Sequence, residues 1–158
     1  MPPAGKTSAT SVGPTPLGWR PGVAEQLGYY VYLLVDPRAG HDRVFYVGKG
    51  TDERCFAHIV EARRRPAVTR SGDYVKLDTI RDIESGGQPV GIEILRHGLD
   101  EDSAFMLESA TIDVLGFDDL ANRVVGQHAV SLGRADVDEV NARLGAHPVT
   151  FLPEDRLV

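Results

Sequence analysis

A chain of 158 residues, 42% of them hydrophobic, is long enough for one domain with a real core and modest tails. Its single cysteine, Cys55, excludes an internal disulfide and a zinc site built on cysteines, and it fits a reducing compartment. No apolar run approaches the roughly 20 residues of a membrane span, and no apolar h-region opens the chain; a soluble cytoplasmic protein with no membrane partner is expected. The net charge of -6 argues against a phosphate binder, but its distribution is uneven. Between Arg43 and Lys76 eight basic residues face four acidic ones, a window of +4 within an otherwise acidic chain. That window contains Arg63, Arg64 and Lys76, which are candidate substrate contacts if it forms a basic face, and ordinary solvated charges if it does not.

Residues 1–22 are rich in Pro, Gly, Ser and Thr and read as a flexible tail. Tyr29 to Val35 is a compact β-favouring run, followed by the turn residues Asp36-Pro37-Arg38-Ala39-Gly40. Val44 to Val47 is a second such run, closed by Gly48 and Gly50, so the pair predicts a β-hairpin. Thr51 is placed to cap a helix with Asp52 and Glu53 in its first turn. Phe56, Ile59 and Val60 follow at helical spacing, and Pro66 ends the pattern. A second helix is expected over 73–85, stopped by Gly86-Gly87. Val90, Ile92 and Ile94 alternate as a strand does. The clearest helix runs over 100–115, with Ala104, Leu107, Thr111, Ile112 and Leu115 as its inner stripe. A last helix is expected over 134–144, and Pro148 to Leu152 reads as a further strand. The order β-β-α-α-β-α-α makes a small sheet covered by helices. We divide the chain into a tail (1–22), a domain (23–133) and a C-terminal helix with its extension (134–158).

Three features carry chemistry. Glu108 falls on the apolar stripe of its helix, where a carboxylate is costly unless paired. Mg²⁺ is one such partner, since it takes carboxylate oxygen and keeps waters; a buried hydrogen-bond donor is another. In Gly48-Lys49-Gly50 the glycines would let a ligand approach the backbone, and Lys49 could meet a phosphate. This is no phosphate-cradling P-loop, because Arg43 stands where that pattern needs a glycine. Arg54 and His58, spaced i, i+4, share one helix face offset from Phe56, Ile59 and Val60. A cation beside an imidazole suits an anionic transition state, and a solvated helix face is the plainer alternative.

Taken together, these residues resemble the GIY-YIG endonuclease family. Tyr30-Val31-Tyr32 matches its first signature, with Tyr32 in the tyrosine position, and Tyr46-Val47-Gly48 matches the second. Arg54 and His58 match the helix that follows, Glu108 the glutamate of a later helix, and Asn122 the asparagine beyond it. The strings YYVYLLVDPR, FYVGKG, ERCFAH and LANRVVG are similar to the nuclease domain of animal ankyrin-repeat LEM proteins and its short bacterial relatives. The resemblance covers about Gly28 to His128. The chain departs from the family pattern at the triplet's glycine, whose position holds Tyr30, and in a longer hairpin loop.

The resemblance implies an α/β fold of the α+β kind: a small, mainly antiparallel three-stranded sheet flanked by helices. It implies a metal-dependent endonuclease with Tyr32, Tyr46, Arg54, His58, Glu108 and Asn122 as catalytic residues. Glu108 would hold one Mg²⁺ or Mn²⁺ against the scissile phosphate. A tyrosine or His58 would handle the proton of the attacking water. Arg54, with help from Lys49, would stabilise the phosphoryl charge, and Asn122 would orient by hydrogen bonding. Gly48, Lys49, Gly50, Arg63, Arg64 and Lys76 would contact substrate. DNA, branched or structured, is the first substrate to expect; an RNA-cleaving toxin or defence nuclease and a non-catalytic nucleic-acid-binding module are the alternatives. An attached domain or protein partner would supply specificity.

Overall fold

The computed structural model describes residues 17–40, 42–65, 75–122 and 133–145. A short helix α1 (Ala24–Leu27) leads into strand β1 (Tyr29–Asp36), a 3-10 turn (Pro37–Ala39) and strand β2 (Arg43–Gly50). Helices α2 (Arg54–Arg64) and α3 (Val75–Ser85) follow, then strand β3 (Gly91–Leu99) and helix α4 (Glu101–Leu115). A second 3-10 turn (Phe117–Asp119) and helix α5 (Val137–Leu144) complete the described elements. None of these helices is long and apolar enough to cross a membrane.

The sheet has three strands in the order β2-β1-β3, with both pairings antiparallel. Its central strand, β1, is almost wholly buried because apolar side chains leave both of its faces. Tyr30, Tyr32 and Leu34 point to one side, where they meet Cys55, Ile59 and Ala62 of α2 and Leu77, Ile80 and Ile83 of α3. Val31, Leu33 and Val35 point to the other and join Val47 with Ala104 and Ile112 of α4. The pairing of β1 with β2 slips by one residue between Leu34 and Val35, leaving Phe45 unpaired. Phe45 is nevertheless fully buried on the α2 and α3 side, as is usual for a residue re-aimed by a bulge.

The hairpin, the three strands and the helices of the α+β reading are present, and several details differ. Thr51 makes no cap: α2 starts at Arg54, and Glu53, the residue before it, places no side-chain hydrogen bond on the helix. The third strand runs past Ile94 to Leu99. Of the stripe expected on α4, Ala104 and Ile112 are buried and Leu115 is 38% exposed, while Ser109 is buried instead. Helix α5 begins at Val137, where Asp136 and Glu139 form a reciprocal capping box. Trp19, assigned by composition to a flexible tail, packs edge-on against Tyr30 and Phe56 with centroids 6.1 and 5.1 Å away. Residues 1–16, the turn around Pro66 and the strand expected at 148–152 lie outside the described residues.

Candidate active site

Strand alternation places Tyr30, Tyr32, Tyr46, Gly48 and Gly50 on the α2 side of the sheet, with Tyr32 opposite Gly48 and Tyr30 opposite Gly50. These pairings explain the glycines. A Cβ on Gly48 would lie 2.6 Å from both Cζ and Oη of Tyr32, so the tyrosine ring lies flat across its partner. A Cβ on Gly50 would overlap the stem of Arg54. The bare faces of Gly48 and Gly50 are thus filled by the protein's own side chains, and their expected role in admitting a ligand to the backbone does not describe this packing.

Tyr32 is 1% exposed, and its hydroxyl lies 2.8 Å from Nε2 of His58. The expectation that His58 shares a solvated face with Arg54 is corrected here. His58 is 3% exposed and belongs to the buried face of α2 with Cys55, Ile59 and Ala62, whereas Arg54 is exposed. Successive side chains on a helix sit 100° apart, so residues i and i+4 differ by about 40°, enough at a stripe's edge to bury one and leave the other in water. Tyr46 is half-buried, with its ring 5.1 Å from the His58 ring and 6.2 Å from that of Tyr32. Lys76 of α3 places its ammonium 4.2 Å from the centre of the Tyr46 ring and 3.4 Å from His58 Nε2. An ammonium has only protons to offer, so Nε2 faces it as an acceptor and the Tyr32 hydroxyl is the donor. The ring proton then sits on Nδ1, which is buried and has no partner among the described residues.

Burial sets the protonation states. It raises Tyr32 far above the ordinary phenol value and Tyr46 above it, so both rings are neutral. His58 is pushed down to about 3, first by burial and then by the Lys76 and Arg54 cations, and its imidazole is neutral at pH 7. Lys76 is itself pushed down to about 8, again mainly by burial and secondarily by Arg54. The Arg54 charge thus acts on Tyr32, Tyr46, His58 and Lys76, and its side chain makes no hydrogen bond among the described residues.

Glu108 approaches from α4 along the free edge of β2. Its Oε1 accepts the Lys49 backbone N–H at 2.9 Å. Burial, the larger effect, raises its carboxyl pKa, while that hydrogen bond works against the rise. Of the two partners weighed for this carboxylate, the backbone donor is present on one oxygen, and the second oxygen makes no hydrogen bond among the described residues. Among those residues no three His, Cys, Asp or Glu side chains gather to hold a metal ion. A lone half-buried carboxylate with one free oxygen fits a cation that keeps most of its waters, as Mg²⁺ does, and does not fit a cation needing an all-protein cage.

Asn122 sits farther along the same edge. Its Oδ1 accepts the Val47 N–H at 3.0 Å and its Nδ2 donates to the Val47 carbonyl at 2.7 Å, while Ala121 N–H donates to Phe45 at 2.7 Å. The amide thus imitates a neighbouring strand and satisfies an otherwise open sheet edge. Both of its polar ends are engaged with backbone.

The remaining sequence candidates are dispersed. Lys49 reaches Glu101 at 3.3 Å, with its ammonium 5.6 Å from the Tyr29 ring and 5.8 Å from that of Phe105. Arg63 is held by Glu84 through Nε and Nη2, an ion pair that ties α2 to α3. Arg64 is exposed on the outer face of α2. Sequence reasoning placed Lys76 with the substrate contacts and missed its position over Tyr46, since nothing in the local pattern of α3 ties it to β2.

A family model described as the LEM-3-like GIY-YIG domain matches residues 29–147. The ankyrin repeat and LEM domain-containing protein 1 homolog of Caenorhabditis elegans is 30% identical, over 62% of this chain and 16% of that protein. The human ankyrin repeat and LEM domain-containing protein 1 is 27% identical, over 82% of this chain and 24% of that protein. The chain thus spans a quarter or less of the length of the curated relatives it matches. No solved structure matches it.

Proposed function

The chain belongs to the LEM-3-like GIY-YIG family, and from that premise we propose that it is a metal-dependent endonuclease that hydrolyses phosphodiester bonds in DNA. The observation that carries the reading is the convergence at the end of β2. Neutral Tyr46, Tyr32 and His58 lie beside the cations Arg54 and Lys76, with the Glu108 carboxylate at the strand's edge.

Arg54, whose exposed side chain makes no hydrogen bond among the described residues, stabilises negative charge on the phosphoryl oxygens. Lys49, Lys76 and the exposed Arg64 add to the field along the backbone. Arg63 contributes only where substrate displaces Glu84. Glu108 holds Mg²⁺ or Mn²⁺, which supplies Lewis-acid stabilisation of the leaving oxygen when bound. Tyr46 is the more accessible of the two tyrosines, so it faces the attacking water, and Tyr32 with His58 stands behind it. The 2.8 Å contact with neutral His58 Nε2 gives the Tyr32 hydroxyl an acceptor and holds that ring in place behind Tyr46. Asn122 keeps the β2 edge, and with it Tyr46, in place. Sequence or structure specificity comes from other segments or a protein partner, in keeping with the small share of each relative that the chain covers.

The test is a cleavage panel of linear duplex, single-stranded DNA, branched DNA and RNA, each with Mg²⁺, with Mn²⁺ and with chelator. Metal-dependent cutting of a DNA substrate is expected. Preferential cutting of RNA would replace the substrate assignment, and the absence of cutting on every substrate would overturn the nuclease reading.

A further inference from the structure

The guanidinium proposed to meet the phosphate leaves the first residue of α2, so its direction is set by the turn before it. That turn is irregular. Asp52 has φ of 50°, in the left-handed region that a non-glycine residue adopts only when its surroundings hold it there. Asp52, Glu53 and Arg54 are all exposed, and Glu53 gives no side-chain cap. The first amides of a helix need acceptors from outside it.

The Arg54 N–H goes to the Thr51 carbonyl at 3.1 Å, and the acceptor for Cys55 comes from β1. Tyr30, fully buried, accepts the Cys55 N–H on its hydroxyl at 3.1 Å and donates that hydroxyl to the Asp52 carbonyl at 2.8 Å. Trp19 closes the arrangement from the other side: its indole N–H donates to the same Asp52 carbonyl at 2.8 Å, and its ring packs edge-on against Tyr30. Its backbone N–H reaches Glu53 Oε1 at 3.4 Å. Below the turn, Gly50 lies opposite Tyr30 and leaves the room that the stem of Arg54 fills. Each residue from Asp52 to Cys55 is therefore held by Tyr30, Trp19 or Gly50.

We propose that Tyr30 and Trp19 form a latch that fixes the 51–54 turn and thereby aims Arg54 at the scissile phosphate. Tyr30 is then a positioning residue: it works through Arg54 and touches no substrate. A glycine at this position could neither cap α2 nor hold Asp52. The proposal rests on the nuclease reading above.

The experiment measures steady-state cleavage of the preferred substrate by Tyr30→Phe and Trp19→Phe, each in the wild-type and in the Arg54→Ala background. Amide hydrogen exchange at Cys55 is followed in the same proteins. Phenylalanine keeps the buried ring and removes only the hydroxyl, so the fold survives. Tyr30→Phe removes both hydrogen bonds of the hydroxyl, so it should lower kcat by roughly 5- to 30-fold with KM little changed. Trp19→Phe should act in the same direction. With Arg54→Ala already present, Tyr30→Phe should add almost nothing, and Cys55 exchange should speed up in both backgrounds. An equal fold-loss in the two backgrounds would overturn the latch while leaving the nuclease reading intact. Unchanged exchange at Cys55 would overturn it whatever the activity. A wild-type chain that cleaves nothing would remove the nuclease reading and the positioning role with it.

Discussion

Gly48→Ala adds one methyl group where a buried tyrosine ring leaves no room for it. The new Cβ would sit 2.6 Å from Cζ and Oη of Tyr32 and 2.9 Å from Cε1. Gly48 is not among the positive-φ glycines, so the penalty is steric and not one of backbone strain. Tyr32 cannot yield easily: its ring is 1% exposed and its hydroxyl is held by His58. Overpacking of this kind costs about 1 to 3 kcal/mol, and losing the Tyr32–His58 hydrogen bond about 0.5 to 1.5. Replacing glycine returns about 0.4 to 1 kcal/mol by stiffening the unfolded chain. The variant should therefore be destabilised by about 1 to 3 kcal/mol, read from urea denaturation midpoints at constant slope. Its His58 ring resonances should move, and cleavage should fall further than lost stability explains. A variant as stable as the parent, with unmoved His58 resonances, would refute the packing of Tyr32 over Gly48.

Three further outcomes follow from the site. His58 has a folded pKa of about 3 against 6.5 in an unfolded chain, because burial and the Lys76 and Arg54 cations disfavour its charged form. A depressed value means stability that is complete above pH 6.5 and is lost as pH falls toward 3. Denaturation midpoints across that window should fall less in His58→Gln, and ring titration by NMR near pH 6.5 would contradict the burial argument. Lys76, lowered to about 8, should lose its charge on the alkaline side, so cleavage should decline as pH rises through that value. Lys76→Arg should move the decline to higher pH, and an identical profile would exclude Lys76 from the reaction. Asn122→Ala strips both partners from the Val47 backbone and should cost about 1 to 3 kcal/mol of stability. Unchanged stability with lost cleavage would instead return Asn122 to a direct role.

The legible parts of this molecule were those governed by local periodicity. The β-favouring run of β1, the alternation of Val90, Ile92 and Ile94 and the 3.6-residue spacing in α4 mark strands and helices, and the position of Glu108 on an apolar stripe already signals a carboxylate needing a partner. Contacts between distant segments left no such trace. The cap of α2 is a hydroxyl 25 residues away on Tyr30 and not the nearby Thr51, because tertiary packing supplied a better-placed acceptor. Asn122 reads as a polar residue after a helix until the β2 edge beside it is seen. Ser109 shows the reverse case: it is buried on α4, and its hydroxyl has no partner among the described residues, a feature no period in the sequence marks. The triplet tyrosine of the resemblance, Tyr32, is found beside Tyr46 and His58.

The most direct measurement is cleavage of the preferred DNA substrate by Glu108→Gln beside the parent chain, with Mg²⁺ and with chelator. Glutamine keeps an oxygen to accept the Lys49 N–H and removes the charge, so the sheet edge is preserved while cation binding is lost. The expected result is metal-dependent cutting by the parent and a loss of orders of magnitude in the variant, with DNA binding and thermal stability nearly unchanged. Metal-dependent cutting by Glu108→Gln at the parent's rate would contradict it.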